Sequence, residues 1–144
     1  MKKIIIFLLL ATSIQQTIAQ TETFDIATFT PPKDWKKTTG TLSTAYSNIN
    51  NTTGAFCVIA LYPSSASLGD AQKDFKAEWK NRVVTLFNGD ANPKTDMQTS
   101  ADGWKAVSAA APIKIDSAGA YVILTVFSGF GNRFSILVTL NDKS

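Results

Sequence analysis

A run of charged residues spaced four apart is the part of this sequence that most resembles an acid–base site. Its members are Asp70, Asp74, Glu78 and Arg82. This spacing places all four on one face of a helix, and two carboxylates in different environments can divide the roles of general acid and general base. Three lysines interleave with them, as on an ordinary solvated helix face: Lys73, Lys76 and Lys80. We therefore predict that these charges face solvent, with acid–base chemistry as the alternative.

The sequence contains no histidine, which excludes Ser-His-Asp triads, Cys-His pairs and His-containing zinc sites. Its single cysteine, Cys57, lies in the apolar run 56–61. We predict a buried structural thiol, because no basic neighbour is placed to lower its pKa; a reactive nucleophile is the alternative. The sequence predicts no catalytic residue, no metal site and no cofactor, and it favours a protein that is not an enzyme.

Four aromatic residues are candidates for contact with a ligand or partner. Trp35 follows a predicted turn and Trp104 follows a predicted hairpin loop, so each is expected to be half exposed or to pack at the rim of the core. Trp79 falls on an apolar helix stripe and is predicted to be core. Phe130 lies between two glycines at a predicted hairpin tip. We expect it either to contact a partner or to fold back over the sheet edge.

The first 20 residues have the layout of a secretory signal peptide. Lys2 and Lys3 precede the apolar run 4–11, and Ala19 is the small residue near a cleavage site. The run is far shorter than the roughly 20 residues that span a bilayer. We predict a signal peptide over 1–20 and a periplasmic or secreted product. Cys57 is not at the end of the signal, so we expect no stable membrane anchor after signal removal.

The length and net charge of the chain that follows the predicted signal peptide indicate a small domain without a strong preference for charged partners. Residues 21–144 suffice for a single domain. The formal charge of +3 falls to +1 once Lys2 and Lys3 are removed. No basic footprint for nucleic acid is therefore predicted, and the expected partner is an unknown protein or a small ligand.

The apolar periodicity predicts seven strands and one helix. Alternating or continuous apolar runs indicate strands at 24–29, 41–49, 55–61, 95–100, 104–111, 120–127 and 133–140. A helix is predicted over 68–87, with Ser67 as its cap and Asn88-Gly89 as its end. This order predicts an α+β fold, with a mostly antiparallel sheet of about seven strands and one helix packed on a face.

The predicted strand 120–127 is apolar on both sides, whereas one helix covers only one face of a sheet. Tyr121 and Ile123 point one way, and Val122 and Leu124 the other. We expect either a missing C-terminal helix in a truncated chain or a partner subunit on the second face. Without such a cover, we expect apolar sheet surface to stay open and to favour self-association.

The order of elements and the segment 29–35, Phe-Thr-Pro-Pro-Lys-Asp-Trp, resemble the PsbP-like superfamily. This group includes the photosystem II accessory protein, a yeast Ran-binding protein and exported DcrB-type bacterial proteins. Its members begin with a strand followed by Pro-x-Gly-Trp, and Asp34 stands here in place of that glycine. The resemblance implies an α/β/α sandwich with a final C-terminal helix. It also implies a binding or accessory role without shared catalytic residues.

The signal ending in Ala-Gln and the Asn/Thr-rich strands also look like those of small exported Bacteroidetes proteins. The tripeptide 116–118, Asp-Ser-Ala, is similar to the O-glycosylation signal of that group, and it lies in a predicted turn. This makes Ser117 a candidate O-glycosylation site, with a chance match as the alternative.

The prediction for function is an exported, non-catalytic binding or accessory domain of unknown ligand. One alternative is a protein-interaction module that pairs through the uncovered sheet face. The other is a histidine-free hydrolase, which would require a cleft with perturbed acids.

Overall fold

The computed structural model describes residues 20–141 and 143, so the predicted signal peptide lies outside the described residues except for Gln20. In this part of the chain nine strands are present: β1 (Glu22–Phe24), β2 (Ala27–Phe29), β3 (Lys36–Thr39), β4 (Thr44–Asn50), β5 (Ala55–Ala66), β6 (Asp96–Thr99), β7 (Lys105–Ile115), β8 (Ala118–Gly129) and β9 (Asn132–Leu140). β1 and β2 form a two-stranded sheet. The other seven form an antiparallel sheet in the order β3-β4-β5-β9-β8-β7-β6. The predicted α+β class with an antiparallel sheet of about seven strands is confirmed.

A helical segment follows β5 and begins later than predicted. It consists of α1 (Ala71–Trp79), a π-helical turn (Lys80–Val84) and α2 (Thr85–Phe87). The prediction of Ser67 as the cap is wrong, because Asp70 caps α1 by accepting a hydrogen bond from the Lys73 N–H at 3.0 Å. The end at Asn88 is confirmed, and this residue adopts the left-handed conformation that commonly ends helices. Among the described residues, no helix is long and apolar enough to cross a bilayer.

One face of the helical segment packs on β7 and β8. The buried stripe comprises Ala71, Phe75, Trp79 and Val83, so the predicted core position of Trp79 is confirmed. Leu86, the last residue of the predicted stripe, is 63% exposed instead. The π-helical turn explains this difference, because it holds more residues per turn than an α-helix. Phe87 packs against the core in place of Leu86.

The strand predicted at 24–29 is wrong, because this segment is a hairpin. Asp25 adopts φ 52° and turns the chain between β1 and β2. The side chains of Phe24, Ala27 and Phe29 pack on the sheet face opposite the helix. Part of the face that we expected a second helix or a partner to cover is therefore covered by this hairpin.

The helix and the hairpin cover different parts of the sheet on opposite faces. The helix lies over β7 and β8, whereas the hairpin packs on residues of β4, β5 and β9. On the hairpin's side of β8, Tyr121 is 49% exposed and Ile123 is 37% exposed. The expected open apolar surface is thus present over β8, although it is smaller than a whole sheet face.

Candidate functional site

A cleft of about 440 Å³ lies between the β1–β2 hairpin and the sheet. The hairpin side is formed by residues 26–30 together with Pro32, and Trp104 lies at the margin. The floor consists of side chains from four strands: Tyr46, Ile59, Leu61, Phe127, Phe134 and Ile136. This volume falls within the range of roughly 300–1,000 Å³ that is typical of small-molecule sites.

The register of the sheet brings the floor residues together. Directly paired residues of antiparallel strands point to the same face. Three such pairs lie side by side in the floor: Tyr46 with Ile59, Leu61 with Ile136, and Phe127 with Phe134. Because side chains alternate between the two faces of a strand, β5, β8 and β9 contribute residues both to the cleft and to the core under the helix.

Polar contacts beside the cleft hold the hairpin on the sheet. The Glu22 carboxylate of β1 accepts hydrogen bonds from the Lys37 ammonium and from the Tyr46 hydroxyl, the latter at 2.8 Å. The contact with Lys37, followed by that with Tyr46, lowers the pKa of Glu22. In the turn of the hairpin, Asp25 accepts a hydrogen bond from the Ser64 N–H. No described side chain that lines the cleft carries a formal charge.

Two of the predicted contact residues, Trp104 and Phe130, contact each other, although only Trp104 lines the cleft. Their rings make an edge-on contact, with centroids 5.7 Å apart and planes at 64°. Trp104 is half-buried and packs over Gly129, where a Cβ atom would lie 2.8 Å from its Cδ2. Phe130 is 73% exposed at its hairpin tip. Trp35 is also half-buried and packs with the hairpin residues, so the expected partial exposure of both tryptophans is confirmed.

The prediction that the helix carboxylates face solvent is wrong for two of them. Asp74 is fully buried and Glu78 is 6% exposed, because both side chains point towards the sheet. Arg133, at the start of β9, contacts both: its Nε donates to Glu78 Oε1 at 3.0 Å, and its Nη1 is 3.6 Å from Asp74 Oδ1. Arg82 Nε donates to Glu78 Oε2 at 2.6 Å. Asp70 is exposed, as predicted.

The buried carboxylates are already occupied by protein donors. Burial favours a raised pKa for Asp74, but the Leu68 N–H, the Ser67 hydroxyl and the charge of Arg133 hold that pKa below its ordinary value. Both oxygens of Glu78 accept hydrogen bonds. This geometry is that of a structural ion network between the helix and the sheet. No local sequence pattern indicates this network, since Arg133 lies 55 residues from Glu78.

The remaining two predicted positions lie away from the cleft. Ser117 is exposed in the turn between β7 and β8, where Asp116 and Ser117 both have positive φ, as in a type I′ hairpin turn. Its glycosylation stays a prediction. Cys57 is half-buried rather than fully buried, and burial raises the pKa of its thiol.

Neither a metal-ligand cluster nor a known relative points to a function. In residues 20–141 and 143, no group of three or more Cys, Asp or Glu side chains is placed to hold a metal ion. No protein-family model matches the chain, and no curated protein matches it with significant similarity. The geometry of the cleft is therefore the feature that indicates a function.

Proposed function

We propose that this chain is an exported, non-catalytic binding domain that holds a small apolar molecule in the cleft between the hairpin and the sheet. The observation that carries the proposal is the 440 Å³ cleft itself, whose floor is formed by aromatic and aliphatic side chains. Transfer of an apolar ligand from water into such a site is favourable in proportion to the apolar area removed from water. The cleft volume suits a ligand of small-molecule size.

The polarity of the lining restricts the chemistry of the ligand. Because no described lining residue is charged, a charged group inside the cleft would lose its hydration without an ionic partner. The lining residues with polar side-chain groups are Thr28, Thr30, Tyr46 and Trp104, and the Tyr46 hydroxyl already donates to Glu22. We infer a ligand that is uncharged in the part that enters, with at most one or two hydrogen-bonding groups.

Export and family membership are further parts of this proposal. The basic, apolar and small-residue order of 1–20 supports export to the periplasm or the cell exterior. The segment 29–35 supports a PsbP-like origin, and members of that superfamily are mainly binding or accessory proteins. The segment also contributes Phe29, Thr30 and Pro32 to the cleft lining.

The test uses the uncharged fluorescent probe N-phenyl-1-naphthylamine with a matched pair of variants. Ile136 and Val138 lie two residues apart on the same face of β9, and both are half-buried. Ile136 lines the cleft and Val138 does not. We expect saturable binding of the probe to the wild-type chain, loss of binding in Ile136→Phe, and retention of binding in Val138→Phe.

Circular dichroism should show that both phenylalanine variants remain folded, because each exchanges one apolar side chain for another. Equal loss of probe binding in the two variants, or no saturable binding to the wild type, would contradict the proposal.

A protein-interaction module is the second candidate function. It is favoured by the exposure of Tyr121 and Ile123 on one face of β8, since contiguous apolar surface often marks an interface. The variant Ile123→Lys separates the two functions. It should leave probe binding unchanged, because Ile123 does not line the cleft, and it should reduce any self-association seen by sedimentation.

A further inference from the structure

Five chain connections meet at one end of the molecule. The register of the seven-stranded sheet places four of them there: the β3–β4 loop, the approach to α1 after β5, the β6–β7 turn and the β8–β9 turn. The β1–β2 turn lies at the same end, because Asp25 accepts a hydrogen bond from the Ser64 N–H near the end of β5. These five segments, which we call the apolar end, are 25–26, 40–43, 67–70, 100–104 and 130–131.

Every segment of the apolar end carries a large apolar side chain. Four of these side chains are between 46% and 78% exposed: Ile26, Leu42, Leu68 and Phe130. The fifth, Trp104, is half-buried. The two hairpin turns at the opposite end of the sheet are different, because 51–54 is Asn-Thr-Thr-Gly and 116–117 is Asp-Ser. The molecule is therefore amphipathic along the direction of its strands.

Phe130 occupies a backbone conformation that phenylalanine rarely adopts. Its φ is 51°, in the left-handed region where glycine, asparagine and aspartate are the usual residues. Its ring contacts Trp104 at the surface and is otherwise largely exposed, so burial in the core does not offset this strain. Strain at a residue that does not pack in the core points to a function for its side chain.

The charges of the apolar end are negative. Its segments contain three aspartates, Asp25, Asp70 and Asp102, and no lysine or arginine. Basic residues near a membrane surface attract anionic lipids, so these segments have no such attraction. A partner of the apolar end must therefore be held by apolar contacts, and it must not carry a strong negative charge.

The spacing of the apolar side chains favours a fluid partner over a folded one. They are single residues on separate connections, and the outermost two connections of the sheet lie about five strand spacings apart, roughly 24 Å. A folded partner would need a separate pocket for each side chain. The interface of a lipid bilayer accepts apolar side chains individually while neighbouring polar groups stay among the headgroups, and tryptophan is enriched at that depth.

We infer that the apolar end docks reversibly on the surface of a zwitterionic lipid bilayer and inserts Leu42, Leu68 and Phe130 into its interface. Ile26 and Trp104 belong to the apolar end and also line the cleft, so docking brings the cleft next to the lipid. The inference goes beyond the proposed cleft function and does not depend on it, because the three inserted residues do not line the cleft.

The test is co-sedimentation of residues 21–144 with sucrose-loaded phosphatidylcholine vesicles. This form contains every described strand and helix, and it lacks the apolar run 4–11, whose own affinity for lipid would obscure the result. We expect saturable binding of the wild type. Leu42→Asp and Phe130→Asp should each weaken it at least about tenfold, because burial of one leucine or phenylalanine side chain contributes at least that factor.

Leu86→Asp is the matched control and should bind like the wild type. Leu86 is also exposed, but its end of the helix lies near the β7–β8 turn, where Gly89 approaches Ile113. Circular dichroism should show that all three aspartate variants stay folded, since each replaces an exposed residue and aspartate suits the left-handed backbone at position 130. Replacement of part of the phosphatidylcholine by anionic phosphatidylglycerol should not strengthen binding.

Absence of binding to phosphatidylcholine would overturn the inference, and so would equal weakening by Phe130→Asp and Leu86→Asp. Binding that requires phosphatidylglycerol would identify a basic surface elsewhere on the molecule instead. Leu42→Asp should still bind N-phenyl-1-naphthylamine, because Leu42 does not line the cleft. Vesicle binding without binding of this probe would contradict the cleft function alone, and the reverse result would contradict the membrane inference alone.

Discussion

At residue scale, Asp74 links the stability of the fold to pH. Its carboxylate is fully buried, and its pKa lies below the ordinary value of 3.8, because hydrogen bonds and Arg133 outweigh the effect of burial. A lowered folded-state pKa means that the unfolded chain takes up a proton more readily. The stabilising contribution of Asp74 is therefore complete above the ordinary pKa, and it is lost as the pH falls through the lowered one.

The corresponding prediction concerns Asp74→Asn, which should be less stable than the wild type. The difference in unfolding free energy should be largest near neutral pH and should shrink as the pH falls below 3.8. Urea titrations at several pH values measure it. Asp70→Asn is the control, because asparagine caps helices about as well as aspartate. A difference that stays constant down to the acid limit would contradict the pKa direction.

Two glycines of β8 provide a second prediction. At Gly129, a Cβ atom would meet Trp104 at 2.8 and 2.9 Å, whereas at Gly119 nothing lies within 4 Å. Gly129→Ala must therefore displace the indole, and we expect a loss of about 1–3 kcal/mol, as for overpacking in general. Gly119→Ala should be neutral or slightly stabilising. Thermal or urea unfolding measures both, and equal effects would mean that Trp104 does not pack on Gly129.

At the scale of elements, the packing of the helix on the sheet depends on Trp79. The indole is buried between the helix and the sheet, stacks on Phe75 at 5.5 Å, and donates to the Asp90 carbonyl at 2.7 Å. Trp79→Ala should lower the unfolding free energy by about 3–5 kcal/mol. Leu86→Ala, on the exposed side, should change it by less than about 0.5 kcal/mol. A loss below about 1 kcal/mol for Trp79→Ala would exclude this helix orientation.

Elements with a strong apolar pattern were predictable, and those without one were not. β8 and the helix carry long periodic stripes, so their location followed from the sequence. β3 escaped prediction because its four residues, Lys36–Thr39, are all exposed and do not alternate. The β1–β2 hairpin was read as one strand, because the turn at Asp25 contains neither glycine nor proline.

The same contrast applies to the candidate sites. Trp104 and Phe130 were predictable as surface contacts, since glycines and turn residues surround them in the sequence. Their mutual contact, and the cleft beside Trp104, depend on strand pairing that no local pattern encodes. The predicted exposure of Asp74 and Glu78 was wrong for a related reason. Charges spaced four apart are typical of a solvated helix face, and the burial of this pair depends on Arg133, which the sheet places against them.

At the scale of the whole molecule, the helix and the β1–β2 hairpin each cover part of the sheet, and they differ in how deeply their residues are buried. The helix buries a continuous core against β7 and β8. The hairpin has three backbone pairs between two three-residue strands, and its residues are half-buried or exposed. Segments with few buried contacts open at lower free energy than the global unfolding. The apolar cleft thus lies under a hairpin that is not paired into the seven-stranded sheet.

The final prediction concerns the opening of this hairpin, measured by native-state amide hydrogen exchange. Amides of 22–29 should exchange at a lower opening free energy than those of β8 and β9, which are paired on both sides within the sheet. If the cleft binds N-phenyl-1-naphthylamine, the probe should slow exchange in the hairpin, because it binds only the closed state. The strand β6 lies at the opposite edge of the sheet from the hairpin contact with Lys37 and contributes no residue to the cleft, so its exchange should not respond to the probe. Equal opening free energies for the hairpin and β8 would show instead that the hairpin opens only with the whole fold, and a ligand would then have to enter by the side of the cleft.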